Sequence, residues 1–161
     1  MGALNVLTVN LLFSTLVFAI AARIYVMPRV RAGSTRGVLV PILLLHSMRH
    51  LGLMFLSPGG TYAGIPMEFA RPAAFGDLTA ALLALVALVA VVKESWTARP
   101  LLWVFNLEGS LDLIHAIYLA NVYAAFPYMG PAYWIPAFWV PALLVTHYIV
   151  FVILLRPWKG R

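Results

Sequence analysis

The chain has 161 residues, of which 63% are hydrophobic and 10% charged, and its mean hydropathy is +0.95. Soluble globular domains carry about 25% charged residues, so this composition excludes a soluble domain and predicts an integral membrane protein. The formal net charge of +6 does not indicate a nucleic-acid partner, because membrane topology explains where the basic residues lie. The chain has no cysteine, which excludes disulfides and thiolate metal sites.

Five apolar runs are long enough to cross a membrane. A hydrocarbon core of about 30 Å takes about 20 residues of helix. The runs lie at residues 4–25, 38–56, 73–92, 101–120 and 133–155. The sequence therefore predicts an all-α fold, a polytopic bundle of five transmembrane helices, with residues 1–161 forming a single transmembrane domain.

The basic residues are sorted to one side of the predicted membrane. Of the eleven Lys and Arg residues, only Arg49 and Arg71 do not lie on that side. By the positive-inside rule the N-terminus is outside and the C-terminus inside. We expect a multi-pass protein of the cytoplasmic membrane of a bacterium. The nine residues on the inner side are Arg23, Arg29, Arg31, Arg36, Lys93, Arg99, Arg156, Lys159 and Arg161.

Ionisable side chains inside the predicted spans indicate where function lies. Each costs roughly 2.5 to 3.5 kcal/mol in the hydrocarbon region, so such groups usually face the bundle interior and pair or bind something. One set shares a face of the second span within about 100°, and another shares a face of the fourth span within about 60°. The first set is His46, Arg49 and His50, the second is Glu108, Asp112 and His115, and Asp77 and His147 lie on other spans.

Depth along straight helices predicts which of these groups meet. Arg49 and Asp112 both lie about 16 Å from the inner end of their spans, so we predict an ion pair between them. A pair that only fixes helix register is an equal alternative. Asp77 lies near the start of its span, where the helix dipole stabilises a carboxylate. A purely structural role is therefore an alternative to a role in the site.

The remaining groups fall into two layers. Glu108, His46 and His147 share a lower layer, and His50, His115 and Asp77 an upper one, with Asn10 of the first span near the upper layer. Prolines at positions 136 and 141 predict kinks that open space between the helices. Small residues at 76, 80 and 84 predict that a neighbouring helix packs closely against the third span.

These patterns predict a site that binds, and by acid–base chemistry acts on, a small lipophilic molecule entering from the bilayer. Glu108 is the candidate proton donor, since its basic neighbours are histidines alone. The predicted catalytic residues are Glu108, Asp112, His115 and His46, and the predicted ligand-binding residues are Arg49, His50, His147, Asn10 and Asp77. The pattern does not decide whether the protein is an enzyme.

Other uses of the same residues stay open. Intramembrane imidazoles are also axial ligands of b-type haem, and the candidate metal ligands are His46, His50, His115 and His147. A ladder of titratable groups is likewise typical of a proton-linked carrier, and a structural accessory subunit would use them for assembly. We expect membrane lipids as partners, with a small lipophilic ligand and a second copy of the chain as further candidates.

Overall fold

The computed structural model describes residues 6–157, which form five long helical segments, a short 3₁₀ turn at Phe126–Tyr128 and no strand. The segments are α1, Val6–Arg31; α2, Thr35–Leu56; α3, Met67–Val92; α4, Ala98–Val122; and α5, Gly130–Leu154. Of these, α1, α2, α3 and α5 are long and apolar enough to cross a membrane. The all-α prediction is confirmed, whereas the fifth span and the orientation of the termini stay predictions. The predicted first span begins outside the described residues, as do Lys159 and Arg161 at the other end of the chain.

Helix α4 is not among these four helices, because its polar side chains lower its mean hydropathy. It has 25 residues, which is long enough to span. Asn106, Glu108, Asp112 and His115 all lie within it.

Helices α1 and α3 extend furthest beyond their predicted spans. Helix α1 continues past residue 25 to Arg31, and a π-helical turn at Ala22–Val26 ends two residues before Pro28. Proline has no backbone N–H to donate to the preceding turn, and a π-helical turn accommodates this missing hydrogen bond by widening the helix locally. Helix α3 begins at Met67, after Pro66 in an extended conformation.

Helix α2 changes its winding midway. It is α-helical over Thr35–Ser47 and 3₁₀-helical over Met48–Leu56. A 3₁₀-helix has three residues per turn, and runs this long are uncommon. Every third residue of this segment is accordingly buried, namely Arg49, Gly52 and Phe55.

Helix α3 lies at the centre of the packing and contacts both α2 and α4. Its buried face consists largely of alanine, including Ala80 and Ala84 at 0% exposure, which lets neighbouring helices approach closely. Helix α5 also has a π-helical turn, at Ile135–Trp139. Helix α1 packs mainly against α5 and is otherwise largely exposed.

The interior has two apolar clusters with a polar layer between them. One cluster, which includes Leu43 and Phe105, lies toward the α1–α2 and α3–α4 turns. The other, which includes Phe55 and Phe69, lies toward the longer α2–α3 and α4–α5 connections. The buried polar residues of the layer between them are His46, Arg49, Asp77, Asn106 and His147.

Candidate functional site

Arg49 is the centre of the polar layer and is fully buried, with 0% exposure. Its Nε donates to Asp77 Oδ1 at 2.7 Å, and its Nη2 donates to Asp112 Oδ2 at 2.6 Å. Its Nη1 donates to the backbone carbonyl of Gly109 at 3.1 Å and lies 3.3 Å from His147 Nε2. One guanidinium from α2 therefore joins side chains of α3, α4 and α5.

The ion pair between Arg49 and Asp112 that the sequence predicts is present, and Asp77 is a second partner. The predicted depths had separated Arg49 from Asp77. Helix α2 begins at Thr35 rather than at residue 38, and its 3₁₀ part rises about 2.0 Å per residue. Both differences carry Arg49 further along the bundle, to the level of Asp77.

Three glycines, one on each of three helices, make room for these charged groups. A Cβ on Gly52 would lie 2.2 Å from Asp77 Oδ2, and one on Gly76 would lie 1.7 Å from Asp112 Oδ1. A Cβ on Gly109 would lie 2.7 Å from Arg49 Nη1. Such distances are far inside van der Waals contact, so the ion-pair geometry depends on glycine at all three positions.

A hydrogen-bond pair between α4 and α5 fixes the orientation of His147. Asn106 Nδ2 donates to the backbone carbonyl of His147 at 3.3 Å, so Asn106 Oδ1 accepts the hydrogen of His147 Nδ1 at 2.8 Å. His147 Nε2 then carries a lone pair and accepts from Arg49. Asn106, which the sequence reasoning missed, was detectable as a lone amide inside an apolar run.

His46 has one ring nitrogen bonded and one free of hydrogen bonds. Its Nε2 lies 2.9 Å from Thr146 Oγ1, whose own hydrogen points to a backbone carbonyl of α5. His46 Nε2 is therefore the donor, and Nδ1 is a buried acceptor without a partner among the described residues. The ring packs against those of His147, at a centroid distance of 4.3 Å, and Phe105, at 5.0 Å.

Two predicted site residues face away from the interior. His50 is exposed, and its Nδ1 contacts the backbone carbonyl of Ser47 at 3.0 Å. The expectation that it shares the buried face of His46 and Arg49 is wrong, because the 3₁₀ winding rotates it outward. His115 is also exposed, since α4 lies at the edge of the bundle and only part of its polar face is covered.

The other two predicted residues lie outside the ion-pair network. Glu108 is partly buried, and its Oε2 has no hydrogen-bond partner among the described residues. Asn10 donates to the Tyr133 hydroxyl at 3.0 Å and so joins α1 to α5.

The polar layer borders two openings. One is a cavity of about 290 Å³ to which all five helices contribute, including Leu11 of α1, Phe55 of α2 and Pro136 of α5. Asp77 is the only charged residue among those that line it in the described chain. The other is an open groove of about 660 Å³ on the surface of α4 that faces away from the bundle. It is lined by Glu108, Leu111, Asp112, Ile114, His115 and Tyr118.

The four histidines do not converge on one point. Among residues 6–157, no group of three or more His, Asp or Glu side chains has the arrangement of a metal site. His46 and His147 lie together, but a centroid distance of 4.3 Å leaves no room for a haem between their rings. His46 and His147 therefore do not have the geometry of two axial ligands on opposite faces of one haem.

Comparison with known proteins identifies a family. Neither the curated proteins nor the solved structures include a match to this chain. A family model described as Domain of unknown function (DUF8737) matches residues 6–155, and the chain belongs to that family.

Proposed function

We propose that this protein is a five-span membrane protein that binds a small lipophilic molecule in the cavity bordered by Asp77. One observation carries the proposal. The cavity is apolar, lies inside the helix bundle and ends at an ion-pair network, and pockets of this kind are typical of small-molecule sites. Its volume of about 290 Å³ is near the lower end of the usual range for ligand pockets.

The position of the cavity supports entry from the bilayer. Its lining comes from the half of the bundle that holds the α2–α3 and α4–α5 connections, which is the outer half in the predicted topology. Phe126 and Met129 of the α4–α5 connection contribute to its lining. Helix α1 contributes Thr8 and Leu11 and is the most peripheral helix. A lipophilic molecule reaching the cavity from the lipid would pass beside α1.

The network next to the cavity supports acid–base chemistry on the bound molecule. Asp77 is in direct contact with the cavity, and Arg49 holds its carboxylate in place. Behind Arg49, His147 Nε2 accepts a hydrogen bond from the guanidinium, and His46 Nδ1 has no hydrogen-bond partner among the described residues. Asp112 borders the groove rather than the cavity and influences this chemistry through Arg49, whereas Glu108 lies outside the network.

The test fills the cavity and measures binding of a neutral probe. Ala116 lines the cavity, and Ala116→Leu places three further carbon atoms there; Ala73→Leu does so from α3. Ala19→Leu, on the exposed face of α1, is the matched control. We expect n-octanol to raise the melting temperature of the wild type and of Ala19→Leu, but not of the filled variants. Equal shifts in all four proteins would contradict the proposal.

A second candidate function is a proton-linked carrier. It is favoured by Arg49, which bonds Asp77 at the cavity and Asp112 at the groove and so connects two openings. Proton flux into liposomes that depends on a lipophilic substrate, and is lost in Asp112→Asn, would support it. Substrate binding without any proton flux would reject it.

A further inference from the structure

The charged groups at the inner end of the cavity determine which polar end a ligand can carry. Arg49 supplies one positive charge, and Asp77 and Asp112 supply two carboxylates at 2.7 and 2.6 Å from it. His147 accepts a hydrogen bond from Arg49 and is neutral in this arrangement. With both carboxylates ionised, Arg49, Asp77 and Asp112 together carry a formal charge of −1.

Asp77 presents this negative charge to the cavity. Its side chain keeps 11% of its surface accessible, whereas that of Arg49 keeps none. Its Oδ1 accepts from Arg49, and its Oδ2 has no hydrogen-bond partner among the described residues. Glycine at position 52 leaves the space that this oxygen occupies, because a Cβ there would lie 2.2 Å from it.

The rest of the lining is suited to a hydrocarbon body. Apolar side chains surround the path to Asp77, among them Phe69, Leu113 and Ile117. A molecule in this cavity therefore meets mostly apolar surface and one carboxylate, that of Asp77. A carboxylate head would meet Asp77 first and could not reach the fully buried Arg49.

We infer that the cavity selects an amphiphile whose polar end is a protonated amine, with Asp77 as its counter-ion and hydrogen-bond acceptor. This inference rests on the proposed binding of a lipophilic molecule in the same cavity. An ammonium group donates to Asp77 Oδ2 while Oδ1 keeps its bond to Arg49. With both carboxylates ionised, the ammonium group brings the formal charge of the ligand and these three side chains to zero.

The experiment compares octylamine, octanol and octanoate, which share an unbranched chain and differ in their polar end. Binding is measured by native mass spectrometry in one neutral detergent, for the wild type, Asp77→Asn and the control Glu68→Gln, whose carboxylate is exposed. Comparison between variants in the same micelles cancels the partitioning of each probe. We expect wild type and Glu68→Gln to bind octylamine at least about tenfold more tightly than octanol, and octanoate least.

Asp77→Asn should lose the preference for octylamine and keep its affinity for octanol. Gly52→Ala, which crowds Oδ2, should weaken octylamine selectively and provides a second test if Asp77→Asn does not fold. Equal binding of the three probes by the wild type, abolished by Ala116→Leu, would overturn the amine assignment and leave the lipophilic site intact. Binding that Ala116→Leu does not change would overturn both.

Discussion

Asp77 and Asp112 bind the same guanidinium but line different openings. Asp77 faces the cavity, and Asp112 faces the groove on α4. Arg49 lies between them at 2.7 and 2.6 Å. A change of charge at either carboxylate therefore alters the interaction of Arg49 with the other, which links the two openings through one side chain.

Removal of Arg49 is expected to destabilise the protein strongly. Arg49→Met leaves two largely buried carboxylates without their partner, and breaking a buried pair in this way costs about 3 to 5 kcal/mol. The matched control is Arg36→Met, because Arg36 pairs with Glu94 at 2.8 Å with both side chains more than half exposed. The loss of stability in Arg36→Met should stay below about 1 kcal/mol, because exposed ion pairs contribute little. Unfolding in mixed micelles of rising SDS fraction measures both, and equal losses would contradict the central role of Arg49.

Gly76 is expected to tolerate no side chain while Asp112 is present. In Gly76→Ala the new Cβ would lie 1.7 Å from Asp112 Oδ1, so the carboxylate or the helix must move. Overpacking of this kind costs about 1 to 3 kcal/mol. Asp112→Ala relieves the clash, so the double variant should lose less stability than the two single losses added together. Strict additivity in the same unfolding assay would show that the two groups do not meet.

Chemical modification should separate the four histidines into two classes. His50 and His115 are exposed, whereas His46 and His147 have 0% and 2% exposure. Diethyl pyrocarbonate followed by peptide mass spectrometry should modify the first pair rapidly and the second pair only after denaturation. Rapid modification of His46 in the folded protein would contradict its burial, and protection of His50 would contradict the 3₁₀ winding that turns His50 outward.

The number of spans can be measured with single cysteines, because the native chain has none. Ser34→Cys and Lys93→Cys lie in the α1–α2 and α3–α4 turns, and Ala63→Cys and Ala124→Cys lie in the other two connections. With five spans, an impermeant maleimide on intact cells should label positions 63 and 124 but not 34 and 93. Labelling of 93 and 124 from the same side would show that α4 does not cross.

The sequence was sufficient to predict the helical architecture and one contact of the site. Apolar runs mark α1, α2, α3 and α5, and an arginine inside such a run requires an acidic partner, which gave Arg49 and Asp112. The alanine-rich face of α3 predicted its close packing correctly.

The rest of the site depends on features that a periodic pattern does not contain. The change of α2 to 3₁₀ winding at Met48 decides that His50 faces outward and brings Arg49 level with Asp77. Burial of α4 on one side only decides that His115 is exposed. The cavity requires residues from all five helices, so no single stretch of sequence reveals it.

The most direct test of the account is to identify what the cavity holds in the protein taken from its own membrane. Native mass spectrometry of the wild type, Ala116→Leu and Ala19→Leu, extracted in parallel, measures the mass carried by each. The account predicts a small lipophilic molecule on the wild type and on Ala19→Leu, and its loss from Ala116→Leu. Identical bound masses on all three proteins would contradict the claim that this cavity is the binding site.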